Sequence, residues 1–334
     1  MLTSAVRSLF QRMGSRQTEA VRVPYAPVLV APVLVASVLV APVLVAPVLV
    51  APVLVAPAAP VADTTNPDTR GRTVWPAARL ALSRDLWGAG FISPGGEAEI
   101  LRLTRPLGVS ATASLLIVGV GSGGPAIAVT RNLGAWVTGM DHDPSVLAAA
   151  KGVIGKSQLG KKITLKPWTP DNPAFGTSSH HHCLALEPFH GDHPEPIVDA
   201  LARALKPGGQ MVVTELAAVA PLNPADPIVR RWAELEHRDP SDVLAPVAVT
   251  RMLGRIGLDV RVAEDISARH MADALLCWRM MLRGLPNTRP NPLQAAQLVR
   301  EAELWLLRRR LIQDGRLRMM RWYAISRPSS VTGP

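Results

Sequence analysis

Three glycines and one aspartate carry the clearest chemical signal in the sequence. Gly119, Gly121 and Gly123 follow a continuous apolar run, and without side chains the backbone there can approach a ligand closely. The helix expected after them would present its positive N-terminus to that ligand. Asp141 lies twenty residues after Gly121, where a carboxylate can accept both hydroxyls of a ribose. The pattern predicts a nucleotide-type cofactor site without choosing the cofactor, because Gly119, Gly121 and Gly124 also satisfy the dinucleotide fingerprint.

Two polar residues that follow a later apolar run are candidates for acid–base chemistry. Glu187 is expected at the C-terminal end of a strand, facing the cleft, and His190 comes three residues later. Either could act as a general base or a substrate anchor. Two structural roles stay open beside this, in which Glu187 caps a loop and His190 lies at the surface.

Three successive histidines, His180 to His182, suggest a metal ion. Consecutive residues on a strand alternate between its faces, so their side chains cannot converge on one ion. No second set of ligands has a suitable spacing, and no metal site is predicted.

The elements that must position these residues alternate between strand and helix patterns, which is typical of an α/β fold. Each predicted strand is an apolar run that ends near a turn signal. The predicted strands cover 115–121, 135–141, 162–168, 182–188, 210–217, 258–267 and 316–326. The predicted helices cover 124–134, 144–157, 194–209, 249–257, 269–285 and 292–313, with one or two more in 75–108.

The segments after the glycines resemble the small-molecule branch of the Rossmann-like (class I) S-adenosylmethionine-dependent methyltransferases. ALARALKPGGQMVVTEL (200–216) is similar to that family's helix–LKPGG–strand segment, and RLRMMRWYAIS (316–326) to its antiparallel edge strand. EDISARHMADALLCW (264–278) resembles the start of the substrate-side helices in methyltransferases of quinones, sterols and phosphoethanolamine. The resemblance spans about residues 80–326. It implies a mostly parallel sheet with an antiparallel last strand, helices on both faces and a helical insertion before the last strand.

The same resemblance implies roles for individual residues. Gly119, Gly121 and Gly123 would wrap the methionine part of S-adenosylmethionine. Asp141 would hold the ribose, and His142 would lie against the adenine.

Three acids that are customary in this family are absent or displaced. Ile117 replaces the acid two residues before the first glycine, and Trp168 stands where an acid often follows the third strand. The fourth strand begins SSHHHC (178–183) instead of with an aspartate. Each lost hydrogen-bond acceptor should weaken cofactor binding by about 1–3 kcal/mol. Either Asp171 and Glu187 substitute for these acids, or the cofactor binds weakly or not at all.

Two functions therefore stay open. The resemblance implies methyl transfer from S-adenosylmethionine to a small or lipophilic molecule. The substituted acids favour a catalytically inactive, methyltransferase-like binding or scaffold protein, which could act at a membrane. The LKPGG segment disfavours a nicotinamide-dependent oxidoreductase.

The charge distribution suggests partners without naming one. The net charge is +10, and eight arginines face three acids between Arg289 and Arg321. This basic C-terminal helix could contact an anionic membrane, and Arg308 to Arg310 could face phosphates or form a solvated helix end. A nucleic-acid substrate is disfavoured, because the N/D-P-P-Y/F/W tetrapeptide is absent and there are only four Phe and two Tyr for stacking on bases.

The chain divides near residue 74 into a low-complexity extension and a folded domain, 74–330. Six copies of APVLV or ASVLV run from Ala26 to Val55, and their prolines make a poor transmembrane helix and a poor strand. Residues 1–73 are predicted to be disordered, although the basic start (1–16) could form an amphipathic helix at a membrane. Two isolated cysteines fit a reducing, cytoplasmic setting.

Overall fold

A seven-stranded sheet organises the part of the chain that the computed structural model describes, residues 74–189, 194–285 and 290–327. The predicted disorder of residues 1–73 lies outside these residues. The strand order is β3-β2-β1-β4-β5-β7-β6, parallel except for β7, which runs antiparallel to both of its neighbours. The strands are β1 (Ser114–Val118), β2 (Trp136–Asp141), β3 (Ile163–Pro167), β4 (His180–Leu186), β5 (Leu205–Ala218), β6 (Leu258–Asp265) and β7 (Leu317–Ser326).

Nine longer helices accompany this sheet within the described residues. They are α1 (Ala77–Trp87), α2 (Gly96–Thr104), α3 (Gly124–Leu133), α4 (Pro144–Lys156), α5 (Glu195–Ala204), α6 (Pro227–Glu236), α7 (Pro246–Arg255), α8 (Ser267–Gly284) and α9 (Pro292–Gln313). The bounds of α8 and α9 lie within two residues of those predicted for the helical insertion. The predicted α/β architecture with an antiparallel last strand is confirmed.

Strand β1 shows why the sheet needs helices on both faces. Leu116 and Val118 pack in one apolar cluster, whereas Leu115 and Ile117 pack in another, and all four side chains are fully buried. A strand that is buried on both faces reads as a continuous apolar run, which is why the sequence predicts it well.

Helix α6 is absent from the prediction. Asp226 caps its N-terminus by accepting hydrogen bonds from the backbone N–H groups of Ile228 (2.7 Å) and Val229 (3.4 Å). Its ten residues bury Val229, Trp232 and Leu235 on one face. The flanking prolines and polar residues are typical of a loop, and they obscure the capping signal of Asp226 in the sequence.

The junction of α5 and β5 also differs from the prediction, which extends the helix to Gly209. The helix ends at Ala204 and the strand begins at once, because Pro207 cannot donate the hydrogen bond that a helix requires. A register shift against β4 accommodates the extra residues between Leu205 and Gln210.

The helices α8 and α9 pack against α1 through a cluster of tryptophans. Trp278 and Trp305 are buried, and the Trp305 ring lies 5.0 Å from that of Trp87. Both residues therefore serve core packing. None of the helices in the described part of the chain combines the length and the hydropathy that a membrane span requires.

Candidate functional site

The glycine loop follows β1 and leads into α3, as the sequence predicts. Gly119, Gly121 and Gly123 have φ angles of +75°, +58° and +92°, a region that disfavours side chains. A Cβ on Gly119 would lie 2.2 Å from the carbonyl oxygen of Leu186. The loop therefore depends on glycine both for its backbone conformation and for the close passage of β4.

Asp141 ends β2 with its carboxylate against this loop. Its Oδ2 accepts a hydrogen bond from the Gly121 N–H (3.0 Å), and its Oδ1 accepts one from the Asp143 N–H (3.1 Å). The residue is only 4% exposed, and burial raises its pKa to about 7 even though these hydrogen bonds oppose the rise. The structure thus brings Asp141 and the glycine loop together, as the spacing predicts.

An aromatic cluster adjoins Asp141. The rings of His142 and Trp168 meet edge to face at 5.8 Å, and those of Trp168 and Phe175 at 5.2 Å. Burial lowers the pKa of His142, which favours its neutral form. Asp171, the predicted substitute for a lost acid, is exposed in the loop between β3 and β4. Aromatic packing therefore occupies the place where an acid was expected.

Residues 88–95, which we name the cover segment, lie on the glycine loop. The carbonyl oxygen of Gly90 accepts a hydrogen bond from the Gly124 N–H at 2.8 Å. A Cβ on Gly90 would lie 2.6 Å from that nitrogen, and one on Gly121 would lie 3.0 Å from the Ile92 side chain. No role in the site is predicted for this stretch from the sequence, although its glycines permit a close approach of the backbone.

A second group of residues surrounds a cavity of about 40 Å³ at the C-terminal ends of β4 and β5. Glu187, which lines it, follows β4 directly with a φ of +45°, and its N–H donates to the carbonyl oxygen of Thr214 (2.8 Å). This backbone region costs a residue other than glycine about 1–3 kcal/mol, a strain that is often found at functional sites. His190, the other predicted base, lies outside the described residues. His270, from α8, also lines the cavity.

A network of buried charges stands behind Glu187. Arg308 donates to Glu236 at 2.7 and 2.5 Å and to Glu187 at 3.3 Å. Nearby, Arg238 donates to the buried Glu215 at 2.8 Å. Arg308 is 7% exposed, so of the two interpretations left open for it, the solvated helix end is wrong. Arg310 does lie at the exposed helix end, paired with Asp314.

The other substituted positions are filled by structural contacts. Ile117 is buried in the core, where an acid would have had no polar surroundings. His181 contacts the Ser114 backbone N–H through Nδ1 (3.0 Å) and Lys206 through Nε2 (3.1 Å), at the edge where β4 begins. Among the described residues, no group of three or more His, Cys, Asp or Glu side chains could hold a metal ion. The absence of a metal stays a prediction.

The architecture matches solved structures. The phosphoethanolamine N-methyltransferase 2 of Haemonchus contortus, determined in complex with S-adenosyl-L-methionine, superposes with a TM-score of 0.64 at 18% identity. The match covers 74% of this chain and 56% of that one. A sarcosine dimethylglycine methyltransferase described from Galdieria sulphuraria matches with a TM-score of 0.61 at 16% identity, over 75% of this chain and 98% of that one. These likenesses establish a shared fold.

The amino-acid sequence also matches a protein family. Residues 116–213, from β1 through most of β5, match the family model of the methyltransferase domain. Residues 116–213 therefore match a methyltransferase domain in sequence as well as in fold. The resemblance on which the sequence-based prediction rests is thereby confirmed.

The methyltransferase domain also has relatives of known activity. It is 28% identical over 192 residues to the sterol 24-C-methyltransferase of Eremothecium gossypii, across 54% of this chain and 52% of that protein. It is 31% identical over 135 residues to the phosphoethanolamine N-methyltransferase 2 of Caenorhabditis elegans, across 39% of this chain and 30% of that protein. The chain therefore spans about half, or less, of these two relatives.

Proposed function

We propose that this chain transfers a methyl group from S-adenosylmethionine to a small or lipophilic molecule. The observation that carries the proposal is the buried carboxylate of Asp141, held by the Gly121 N–H at the C-terminal end of β2. Ligands of open α/β sheets bind at this edge, and a carboxylate placed there suits the two hydroxyls of a ribose. The substrates named for the relatives, sterols and phosphoethanolamine, are small molecules.

The residues at the glycine loop fit this cofactor at its nucleoside end. Gly119, Gly121 and Gly123 give the loop a positive-φ backbone without side chains, Asp141 offers carboxylate oxygens, and His142 belongs to an aromatic cluster of a kind that suits a purine ring. When bound, the cofactor supplies an already activated methyl group. The chain therefore has mainly to align the acceptor with that group.

The remaining residues orient the acceptor and exclude water. The cover segment closes over the glycine loop through the Gly90–Gly124 hydrogen bond, which limits access of solvent. Glu187 faces the cavity and can take up the proton that an amine or hydroxyl acceptor releases.

Calorimetric titration with S-adenosylhomocysteine tests the cofactor, and transfer of label from methyl-labelled S-adenosylmethionine to candidate acceptors tests the activity. We expect saturable heat with S-adenosylhomocysteine and none with NADH. Absence of heat at millimolar S-adenosylhomocysteine would contradict the proposal.

A catalytically inactive, methyltransferase-like binding protein is the second candidate. The observation that favours it is Ile117, fully buried where the family usually has an acid. Binding of S-adenosylhomocysteine without label transfer to any lipid or amine extract would support this alternative. Label transfer would exclude it.

We also propose that α8 and α9 together form a surface that contacts an anionic membrane. Helix α9 is the basic C-terminal helix predicted from the sequence. Leu276 and Met280 are 55% and 63% exposed on α8. Arg279, Arg283 and Arg309 have no ion-pair partner among the described residues, and burial together with the like charge of Arg279 lowers the pKa of Arg309. A cytoplasmic location, expected from the cysteines, also stays a proposal.

Sedimentation with phosphatidylcholine vesicles, with and without phosphatidylglycerol, tests this surface. We expect binding to the anionic vesicles that Leu276→Ser with Met280→Ser weakens. Val247→Ser, at a similarly exposed valine of α7, is the matched control. Equal binding of both variants would contradict the contact.

A further inference from the structure

The cavity at the ends of β4 and β5 has an unusual balance of charge. Its lining includes the carboxylates Glu99 and Glu187, whereas none of the described residues that line it is a lysine or an arginine. The rest of the lining is mostly apolar, with Phe91, Ile100 and Met319 among its members. An anionic group placed here would meet the carboxylates first, because the arginines that pair with them, Arg269 and Arg308, lie outside the lining.

The two carboxylates are compensated to different degrees. Arg269, outside the lining, donates to both oxygens of Glu99 at 3.1 and 3.0 Å. Arg308 gives its two short hydrogen bonds to Glu236 and reaches Glu187 only at 3.3 Å. Glu187 is therefore the carboxylate that retains the most capacity to accept a further hydrogen bond.

His270, on α8, adds a second polar group to the lining of this cavity. Its ring packs 5.6 Å from the ring of Trp305, and its buried Nε2 has no hydrogen-bond partner among the described residues. Burial, and then the charge of Arg308, lower the pKa of His270 to about 3, so the imidazole is neutral at physiological pH. A buried polar atom of this kind normally has a partner, and here the adjoining cavity is where a ligand could provide one.

The charge at the cavity, rather than its size, limits what can enter it. A cavity of about 40 Å³ has room for a hydroxyl or an amino group. A phosphate group would bring negative charge toward Glu187.

From these observations we infer that Glu187 and His270 together bind the hydroxyl or amino group of the methyl acceptor and that they reject acceptors carrying a phosphate. The inference rests on the proposed methyl transfer and narrows it to uncharged or cationic acceptors. His270 is then a specificity-determining residue of the acceptor site, contributed by the helical insertion.

Ligand titrations followed through the histidine ring nitrogens of the full chain test this inference. The probes are 1-hexanol, hexylamine and hexyl phosphate, which share one apolar body. His270→Gln assigns the His270 signals. We expect hexanol and hexylamine to shift these signals at concentrations at least tenfold lower than hexyl phosphate does.

Two variants sharpen the test. Glu187→Gln should improve hexyl phosphate binding at least threefold while changing hexanol binding by less than threefold. Glu195→Gln, at an exposed acid in the first turn of α5, should leave both unchanged. Hexyl phosphate binding as tightly as hexanol, or the absence of a shift at His270 with all three probes, would overturn the inference.

The titrations are run with and without S-adenosylhomocysteine, whose own binding is measured by calorimetry. Hexanol preference without any binding of S-adenosylhomocysteine would count against the proposed function alone. Binding of S-adenosylhomocysteine without the preference would count against the acceptor site alone.

Discussion

The two ends of the candidate site are formed by different chemical groups. At the end proposed for the ribose, which we call the ribose end, the contacts come from the backbone of the glycine loop, and two N–H groups within a short stretch of chain hold Asp141. At the end proposed for the acceptor, which we call the acceptor end, Arg308 of α9 pairs with Glu236 of α6 and with Glu187, which follows β4. A site formed by the backbone is sensitive to added side chains, which change its shape. A site formed by charged side chains is sensitive to the loss of one of those charges.

Removing the central charge of the acceptor end should have the largest effect on stability. Arg308→Met leaves Glu236 and Glu187 without their shared cation, and breaking such a buried pair costs about 3–5 kcal/mol. Chemical denaturation measures the loss. Arg310→Met, which breaks the exposed pair with Asp314, should cost less than about 1 kcal/mol. A loss of similar size in both variants would show that the network is not the stabilising feature.

A side chain at the first glycine should be the most harmful change to the ribose end. Gly119→Ala places a Cβ against the Leu186 carbonyl and forces a residue with a side chain into positive φ. Strain and overpacking together should destabilise the protein by about 3 kcal/mol and abolish binding of S-adenosylhomocysteine. Gly152→Ala, in α4 with open space at its Cβ, should be neutral or stabilising. Normal binding by Gly119→Ala would contradict the close-approach argument.

Loss of the ribose carboxylate should have a smaller effect that is specific to the ligand. Asp141→Ala should weaken S-adenosylhomocysteine binding about tenfold or more in calorimetry, because a charged acceptor is lost. Asp171→Ala should change it by less than about threefold, since that residue is exposed on a loop. If instead Asp171→Ala weakened binding and Asp141→Ala did not, the ribose assignment would move to the loop.

The ribose end should also show a moderate dependence on pH. With a pKa of about 7, Asp141 is mostly ionised at pH 8 and mostly protonated at pH 6. If the ionised carboxylate accepts the ribose hydroxyls, affinity should fall about tenfold as pH falls between those values. Asp141→Asn should remove this dependence. An affinity that rises toward pH 6 would show that the protonated form binds.

Most of the ribose end is predictable from sequence because it is local. Gly119, Gly121 and Asp141 lie within 23 residues, at the junctions of strongly apolar runs. The acceptor end joins Glu187 with His270 and Arg308, which are 83 and 121 residues away in the chain. Only the packing of α8 and α9 against α1 and the sheet brings them together. The resemblance of residues 264–278 to a substrate-side helix points to the right segment, but it names no residue there.

The place of β7 in the sheet has a consequence for the order of assembly. This strand lies between β5 and β6, and it pairs with both. A nascent chain that has emerged only as far as α9 therefore has two unpaired strand edges, and β6 has no neighbour in the sheet. Synthesis must pass Ser326 before β7 can pair with β5 and β6 and complete the sheet. Until then the chain is open to pairing with other chains, and during this interval it most needs protection by a chaperone.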